Sequence, residues 1–235
     1  MSNGIQTDIL IIGAGPSGAV AAGILCRGDT PREVLVLERG TFPRFSIGES
    51  LLPQSMAYFE EAGMLPAIVE AGFQYKNGAQ FSWDGQFSSF DFREKFSEGW
   101  GTTYQVQRAD FDSVLIKEAE KQGAQVRFKQ EVIDYSYNAS TKKCTVTVQD
   151  HENNAQYQVE ANFVLDASGF ARVLPRLLDL EVPSDFPVRQ AIFTHVDDNI
   201  PPNTFDRNKI LITVHPKHVD VWFWLIPFSN GRCSL

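Results

Sequence analysis

Ile5-Gln6-Thr7-Asp8-Ile9-Leu10-Ile11-Ile12 runs straight into Gly13-Ala14-Gly15-Pro16-Ser17-Gly18, and the reading of this stretch decides the fold. Ile5 to Ile12 is an apolar run bounded by turn residues, the pattern of a short buried strand. Pro16 to Leu25 is rich in alanine and carries proline in its first turn, where a missing N–H costs nothing, so it predicts a helix. Val34-Leu35-Val36-Leu37 predicts a second buried strand. Together they make a βαβ unit whose turn has the GxGxxG spacing, following a strand and opening a helix. Gly13 permits the tight turn, Gly15 lets backbone approach a pyrophosphate, and Gly18 lets the helix pack closely on the strand. Pro16 and Ser17 complete the helix start, where free N–H groups receive phosphate charge. Glu38 closes the second strand, placed to accept hydrogen bonds from ribose hydroxyls and to repel a 2′-phosphate. The motif predicts a dinucleotide site and does not separate NAD from FAD.

The bulk properties set the frame around this unit. A chain of 235 residues is long enough for one large domain or two interleaved smaller ones with a substantial core. The net charge of −8, with no Lys/Arg cluster, argues against general nucleic-acid binding, which needs a basic field to displace counterions. Nothing approaches the ~18 consecutive apolar residues of a membrane span. The N-terminus lacks a signal-peptide pattern, and Cys26, Cys144 and Cys233 form no CxxC pair, so a reducing cytoplasm is the expected home. The chain ends just as a new strand begins after Ser229-Asn230-Gly231, which predicts a piece of a longer protein.

Further along, Ser50 is placed to cap a helix through about Ala62, with Gly63 as its stop. Ala79–Trp83 and Phe87–Asp91 flank Asp84-Gly85 as a hairpin. Ala109 to Gln122 predicts an amphipathic helix with Phe111, Val114, Leu115 and Ala119 on one side. Strands are expected at Val126–Phe128, Val132–Tyr137, Cys144–Gln149, Tyr157–Glu160 and Phe163–Leu165. Ala191–His195, Ile210–His215 and Val219–Pro227 suggest an antiparallel sheet. The predicted class is α/β, a Rossmann-like cofactor domain (1–75 and 101–187) with an interleaved antiparallel β-sheet substrate domain (76–100 and 188–235).

Three segments resemble the flavin-dependent halogenases and their relatives among p-hydroxybenzoate-hydroxylase-like flavoproteins, with geranylgeranyl reductases as cousins. Phe42-Pro43-Arg44-Phe45-Ser46-Ile47-Gly48-Glu49-Ser50-Leu51-Leu52-Pro53 is similar to the loop that runs along the flavin in that family, which implies cofactor roles for Arg44, Glu49 and Ser50. Val106-Gln107-Arg108-Ala109-Asp110-Phe111-Asp112 resembles the VxRxxFD segment, whose arginine, Arg108 here, approaches the FAD. Leu165-Asp166-Ala167-Ser168-Gly169 resembles the strand-end element passing close to the dinucleotide. Small residues at a strand terminus suit such an approach. Arg39 and Val132 complete the expected cofactor set. The resemblance spans nearly the whole chain and implies FAD; the family's GD motif for the ribityl phosphate would lie beyond Leu235.

Trp222-Phe223-Trp224-Leu225-Ile226-Pro227 fits the WxWxIP signature of flavin-dependent halogenases, with both indoles on one face at strand spacing. Gly72-Phe73-Gln74-Tyr75-Lys76-Asn77-Gly78-Ala79 resembles the segment carrying the halogenase lysine, here Lys76. The resemblance implies that reduced FAD and oxygen turn halide into hypohalous acid, which Lys76 directs to a small organic substrate. Trp222 and Trp224 would keep substrate away from the flavin. With no second nucleotide fingerprint, a partner reductase is expected to supply reduced flavin. A flavin monooxygenase or geranylgeranyl-reductase-type dehydrogenase is the alternative, and a non-catalytic flavin-binding protein a second one. Two tryptophans on a strand also suit a packed sheet face, and a lysine before Asn77-Gly78 a solvated turn. Pro216 breaks any helix that would align His215 and His218, so no metal site is expected, and GxSxG is absent.

Overall fold

The structure, a computed structural model, describes residues 4–235. In chain order its strands are β1 (Ile5–Ile12), β2 (Val34–Glu38), β3 (Gln74–Lys76), β4 (Gly78–Trp83), β5 (Gln86–Asp91), β6 (Thr103–Gln105), β7 (Gln125–Phe128), β8 (Gln130–Asn138), β9 (Lys143–Asp150), β10 (Gln156–Asp166), β11 (His195–Asp197), β12 (Lys209–Val214), β13 (Trp222–Pro227) and β14 (Arg232–Ser234). The α-helices are α1 (Pro16–Arg27), α2 (Gln54–Glu61), α3 (Leu65–Glu70), α4 (Arg108–Lys121) and α5 (Val173–Leu177). The chain divides into two compact units, one of residues 1–44, 61–67 and 112–186, the other of 45–60, 68–111 and 187–235.

The first unit carries a six-stranded sheet in the order β7-β2-β1-β10-β9-β8. The pairs β7–β2, β2–β1 and β1–β10 are parallel, whereas β9 and β8 continue antiparallel. Val34 to Leu37 are all buried, as expected of a parallel strand covered on both faces. Leu10, Ile12, Leu35, Leu37, Val146, Val148 and Val159 fill the core of this sheet. The two strands expected at 157–160 and 163–165 are one. β10 pairs with β9 through Gln156–Ala161 and with β1 from Val159 to Asp166, so a partner strand spans the junction at Ala161 and Asn162.

The second unit carries a sheet in the order β11-β14-β13-β12-β4-β5 and a separate ribbon, β3-β6. That sheet is antiparallel except where β12 runs parallel to β4, a departure from the wholly antiparallel expectation. Asp84 (φ 48°) and Gly85 (φ 74°) both take positive φ, as a two-residue type I′ hairpin turn requires. Only His195 of the strand expected at 191–195 is in β11, which continues to Asp197 because β14 pairs there.

Ser50 does not cap a helix. Val106 N–H donates to the Glu49 carbonyl at 2.8 Å, Leu51 N–H donates to the Tyr104 carbonyl at 3.1 Å, and Ser50 bridges Gln105. This extended segment is a third line of chain along β6, and α2 starts only after Pro53. These pairings group 45–60, 68–75 and 101–111 with the second unit, whereas the sequence placed them with the first domain.

Candidate functional site

In the first unit the glycine turn is built by contact. Gly13 has φ 101°, and a Cβ there would stand 2.7 Å from the Ala167 carbonyl oxygen. A Cβ on Gly18 would lie 2.0 Å from the Gly13 carbonyl oxygen, so only glycine lets α1 leave the strand at this angle. Gly15 is the N-cap of α1 and no side chain caps it. Near a Cβ on Gly15, the nearest atom is Nη2 of Arg44, 3.7 Å away. An uncapped helix N-terminus beside a guanidinium is a fitting receptor for a pyrophosphate. Arg44 is anchored by the fully buried Asp112, 3.7 Å away, and lies over the Phe42 ring.

Glu38 turns toward the glycine turn. Its carboxylate accepts hydrogen bonds from Ala14 N–H at 3.0 Å and Gly40 N–H at 2.8 Å. The residues present therefore fit a dinucleotide, with Glu38 available to a ribose beside the turn. In the strand-end element, the backbone of Ala167 does the close packing on Gly13. The Asp166 carboxylate accepts from Ser168 and Leu174 N–H, and Ser168 Oγ accepts from Val173 N–H, so both side chains shape the entry to α5. Gly169 follows with φ 59°. Arg39 is largely exposed and pairs with Glu131 at 3.5 Å, and Val132 is a core side chain.

The second unit collects Glu49, Ser50, Lys76 and Arg108. Arg108 opens α4 and donates to the Ile47 carbonyl, which ties the 45–50 segment to that helix. Glu49 and Ser50 point to opposite faces of their extended segment. Glu49 is buried, and both carboxylate oxygens meet His195 Nε2, at 2.9 and 3.1 Å. His195 in turn lies edge-on to Phe45 and Phe228. No sequence signal pointed to His195, which lies 146 positions from Glu49 and joins it only through β11.

Lys76 is 1% exposed, not a solvated turn residue. Its Nζ donates to the Leu51 carbonyl at 2.8 Å and sits 5.1 Å from the centre of the Phe92 ring. Burial lowers its amine from the ordinary 10.5 to about 8. Lys76 faces Thr103 across the ribbon, and Gln74 faces Gln105. With Ser50 bridged to Gln105, one face of this three-line ribbon carries Lys76, Thr103, Gln105, Gln74 and Ser50. Phe92 also lines a cavity of about 530 Å³ with Phe90, Trp100, Gln54 and Ala57. Trp222 and Trp224 sit on β13 opposite Val214 and Ile212 and are 55% and 42% exposed, so they are not a packed sheet face among the described residues.

No helix among the described residues is long and apolar enough to cross a membrane. The FAD binding domain family model matches residues 6–232. A 1H-pyrrole-2-carbonyl-[peptidyl-carrier protein] brominase of Pseudoalteromonas luteoviolacea is 30% identical over 240 residues, covering 100% of this chain and 55% of its own. A flavoprotein/dehydrogenase from Cytophaga hutchinsonii superimposes with a TM-score of 0.90 at 41% identity, covering 97% of this chain and 54% of its own. The myxobacterial chondrochloren halogenase, described as a variant of FAD-dependent halogenases, gives 0.75 at 30% identity over 98% of this chain and 52% of its own. The chain spans about half the length of these relatives. With the glycine turn, Glu38 and Arg44 gathered at the start of α1, the chain belongs to the FAD binding domain family, is similar to flavin-dependent halogenases along its length, and takes FAD as its cofactor.

Proposed function

We propose that the protein is a halogenase-like FAD-dependent oxidoreductase acting with reduced flavin and oxygen on a small organic substrate, with Lys76 as its catalytic residue. The observation that carries this reading is the state of Lys76: a fully enclosed amine, lowered to about 8, holding one backbone carbonyl beside a polar face. A lysine meant only for solubility would not be placed there, because burying an ammonium costs free energy. Bound FAD, once reduced, would supply two electrons that take oxygen to the peroxide level, from which a halide, giving up two more, becomes hypohalous acid with release of water. Lys76 then contributes a donor when protonated and a nucleophilic nitrogen when neutral, and an amine near 8 offers both forms close to neutral pH.

Around the cofactor, the proposed roles follow the contacts. Gly13, Gly15, Pro16, Ser17 and Gly18 give backbone to the pyrophosphate, Arg44 adds charge, and Glu38 takes a ribose. Ala167 and Gly169 add backbone; Asp166 and Ser168 hold that turn. Arg39 and Val132 flank the adenosine side, and Arg108, Glu49 and Ser50 fix the segment expected along the flavin. Trp222 and Trp224 belong to the substrate side. The aromatic-lined cavity near Lys76 has the size of an ordinary small-molecule site. A separate flavin reductase supplies reduced flavin, in a cytoplasm that suits three free cysteines.

The test supplies the purified protein with reduced FAD, oxygen and chloride or bromide, and follows halogenated aromatic product by mass spectrometry. Lys76→Met is expected to retain FAD and lose product; equal product from the variant removes Lys76 from the chemistry. A dehydrogenase reading is supported by the name of the Cytophaga hutchinsonii relative. It predicts substrate-dependent flavin reduction with no halide requirement, indifferent to Lys76→Met.

A further inference from the structure

Four polar side chains on the ribbon face fall into a pattern that protein contacts do not explain. Thr103 and Gln105 are 1% and 0% exposed, and Lys76 is 1% exposed. Among the described residues, Thr103 Oγ1, Gln105 Oε1 and Ser50 Oγ are buried atoms without a hydrogen-bond partner. Such atoms are rare in folded proteins because each leaves a desolvation cost uncompensated. Here three of the four buried orphans of the described residues share one face, in register with Lys76.

Their donor and acceptor types narrow the guest that would satisfy them. Ser50 and Thr103 hydroxyls can each donate or accept, and a protonated Lys76 has N–H bonds beyond the one spent on Leu51. Gln105 is different. Its Nε2 donates to the Arg207 carbonyl at 2.9 Å, and a carbonyl can only accept, so the amide is fixed with Oε1 as its unpartnered acceptor. An anion would meet the negative end of that amide. A guest must therefore give one hydrogen to Gln105 and offer an oxygen to the hydroxyls and the ammonium. With side chains this closed to solvent, it must also be small, a molecule of very few heavy atoms.

We propose that Ser50, Thr103 and Gln105 form, with Lys76, a binding site for one small uncharged hydroxylic molecule, H–O–X, where X is hydrogen or halogen. Water and hypohalous acid share this chemistry: an O–H for Gln105 Oε1 and oxygen lone pairs for the donors. The binding site itself needs only the orphan atoms, whereas its use for hypohalous acid rests on the halogenase reading above. In that use, Thr103, Ser50 and Gln105 are positioning residues that hold the guest's oxygen toward the Lys76 amine. They form no bond with it.

The experiment is a double-mutant cycle with Thr103→Val and Ser50→Ala in the purified protein, read by thermal unfolding and by product. A hydroxyl that is truly unpaired is improved by removal, so a higher or unchanged Tm in either single variant would overturn the site. If a guest bridges the two, each variant lowers Tm and the double variant shifts less than the sum of the singles; additive shifts would also overturn it. In turnover with a diketone trap for free hypohalous acid, Thr103→Val is expected to lower the ratio of product to trapped acid roughly tenfold. An unchanged ratio with coupled Tm shifts supports the site with water as its guest. Should the wild type yield no halogenated product at all, the halogenase reading fails while the Tm cycle still decides the site.

Discussion

A lysine enclosed at 1% exposure carries its own signature in stability. Burial holds the folded-state amine near 8, below the 10.5 of an ordinary lysine. Between those values the unfolded chain binds more protons than the folded one at this site, so stability rises with pH across that window. The full penalty for burying the charge is felt below about 8 and relieved above 10.5. Comparing wild type with Lys76→Met cancels the other groups, and the wild type is expected to gain up to about 3 kcal/mol on the variant between those limits. A gap that stays flat in urea unfolding from pH 7 to 10.5 would show that Lys76 titrates as an exposed amine. Glu49 poses a different question, because its carboxylate is engaged by His195 through both oxygens. Glu49→Gln replaces one acceptor oxygen with an NH₂ that must face the imidazole nitrogen, a loss of about 1 to 3 kcal/mol of stability. His195→Gln should cost less than Glu49→Gln, since removing the imidazole leaves the carboxylate free to draw in water from the partly exposed histidine side; calorimetry of the two variants orders them.

At the level of elements, what could be read in advance was what local sequence dictates. The strand before Gly13, the helix from Pro16 and the buried strand 34–37 were legible because their apolar periods and turn residues all lie within one short window. The Asp84-Gly85 hairpin was legible for the same reason. Ser50 misled, because a serine ahead of a helical stretch has capping chemistry whether or not another strand claims its backbone, and β6 does. Nothing in the local sequence marks Thr103 or Gln105; only their pairing with β3 and the 49–51 segment encloses them. The glycine turn supports a prediction of its own. Gly18→Ala drives a methyl group to 2.0 Å from backbone, which cannot yield as a flexible side chain would. The variant is expected to lose FAD and to unfold at a Tm lower by several degrees. Arg44→Gln leaves the glycines of the turn in place and removes the charge beside them together with its pairing to Asp112, so it should weaken FAD binding by about 1.5 kcal/mol, roughly tenfold, and flatten its salt dependence. A fluorescence titration of FAD at two ionic strengths separates the two variants.

Across the whole molecule, the two compact units hold different candidate residues: the glycine turn, Glu38 and Arg44 in one, Lys76 with its polar face in the other. The source of electrons is a property of this whole, and it distinguishes the proposed halogenase chemistry from the dehydrogenase alternative. A protein that takes its electrons directly from NADPH must hold the nicotinamide beside the flavin, and so must recognise a second dinucleotide. The chain carries one glycine fingerprint, and Glu38 takes its acidic position, where a carboxylate repels a 2′-phosphate. NADPH added alone in anaerobic stopped flow is therefore expected to leave the visible flavin absorption unchanged over many seconds. Adding a catalytic amount of an unrelated flavin reductase together with free FAD should bleach it, because reduced flavin then exchanges into the site. Oxygen and bromide introduced afterwards should give brominated product in proportion to the flavin reduced, and the Lys76→Met variant should reoxidise without it. Rapid bleaching by NADPH alone would show that this protein reduces its own flavin and favour the monooxygenase or geranylgeranyl-reductase type of chemistry over the halogenase one.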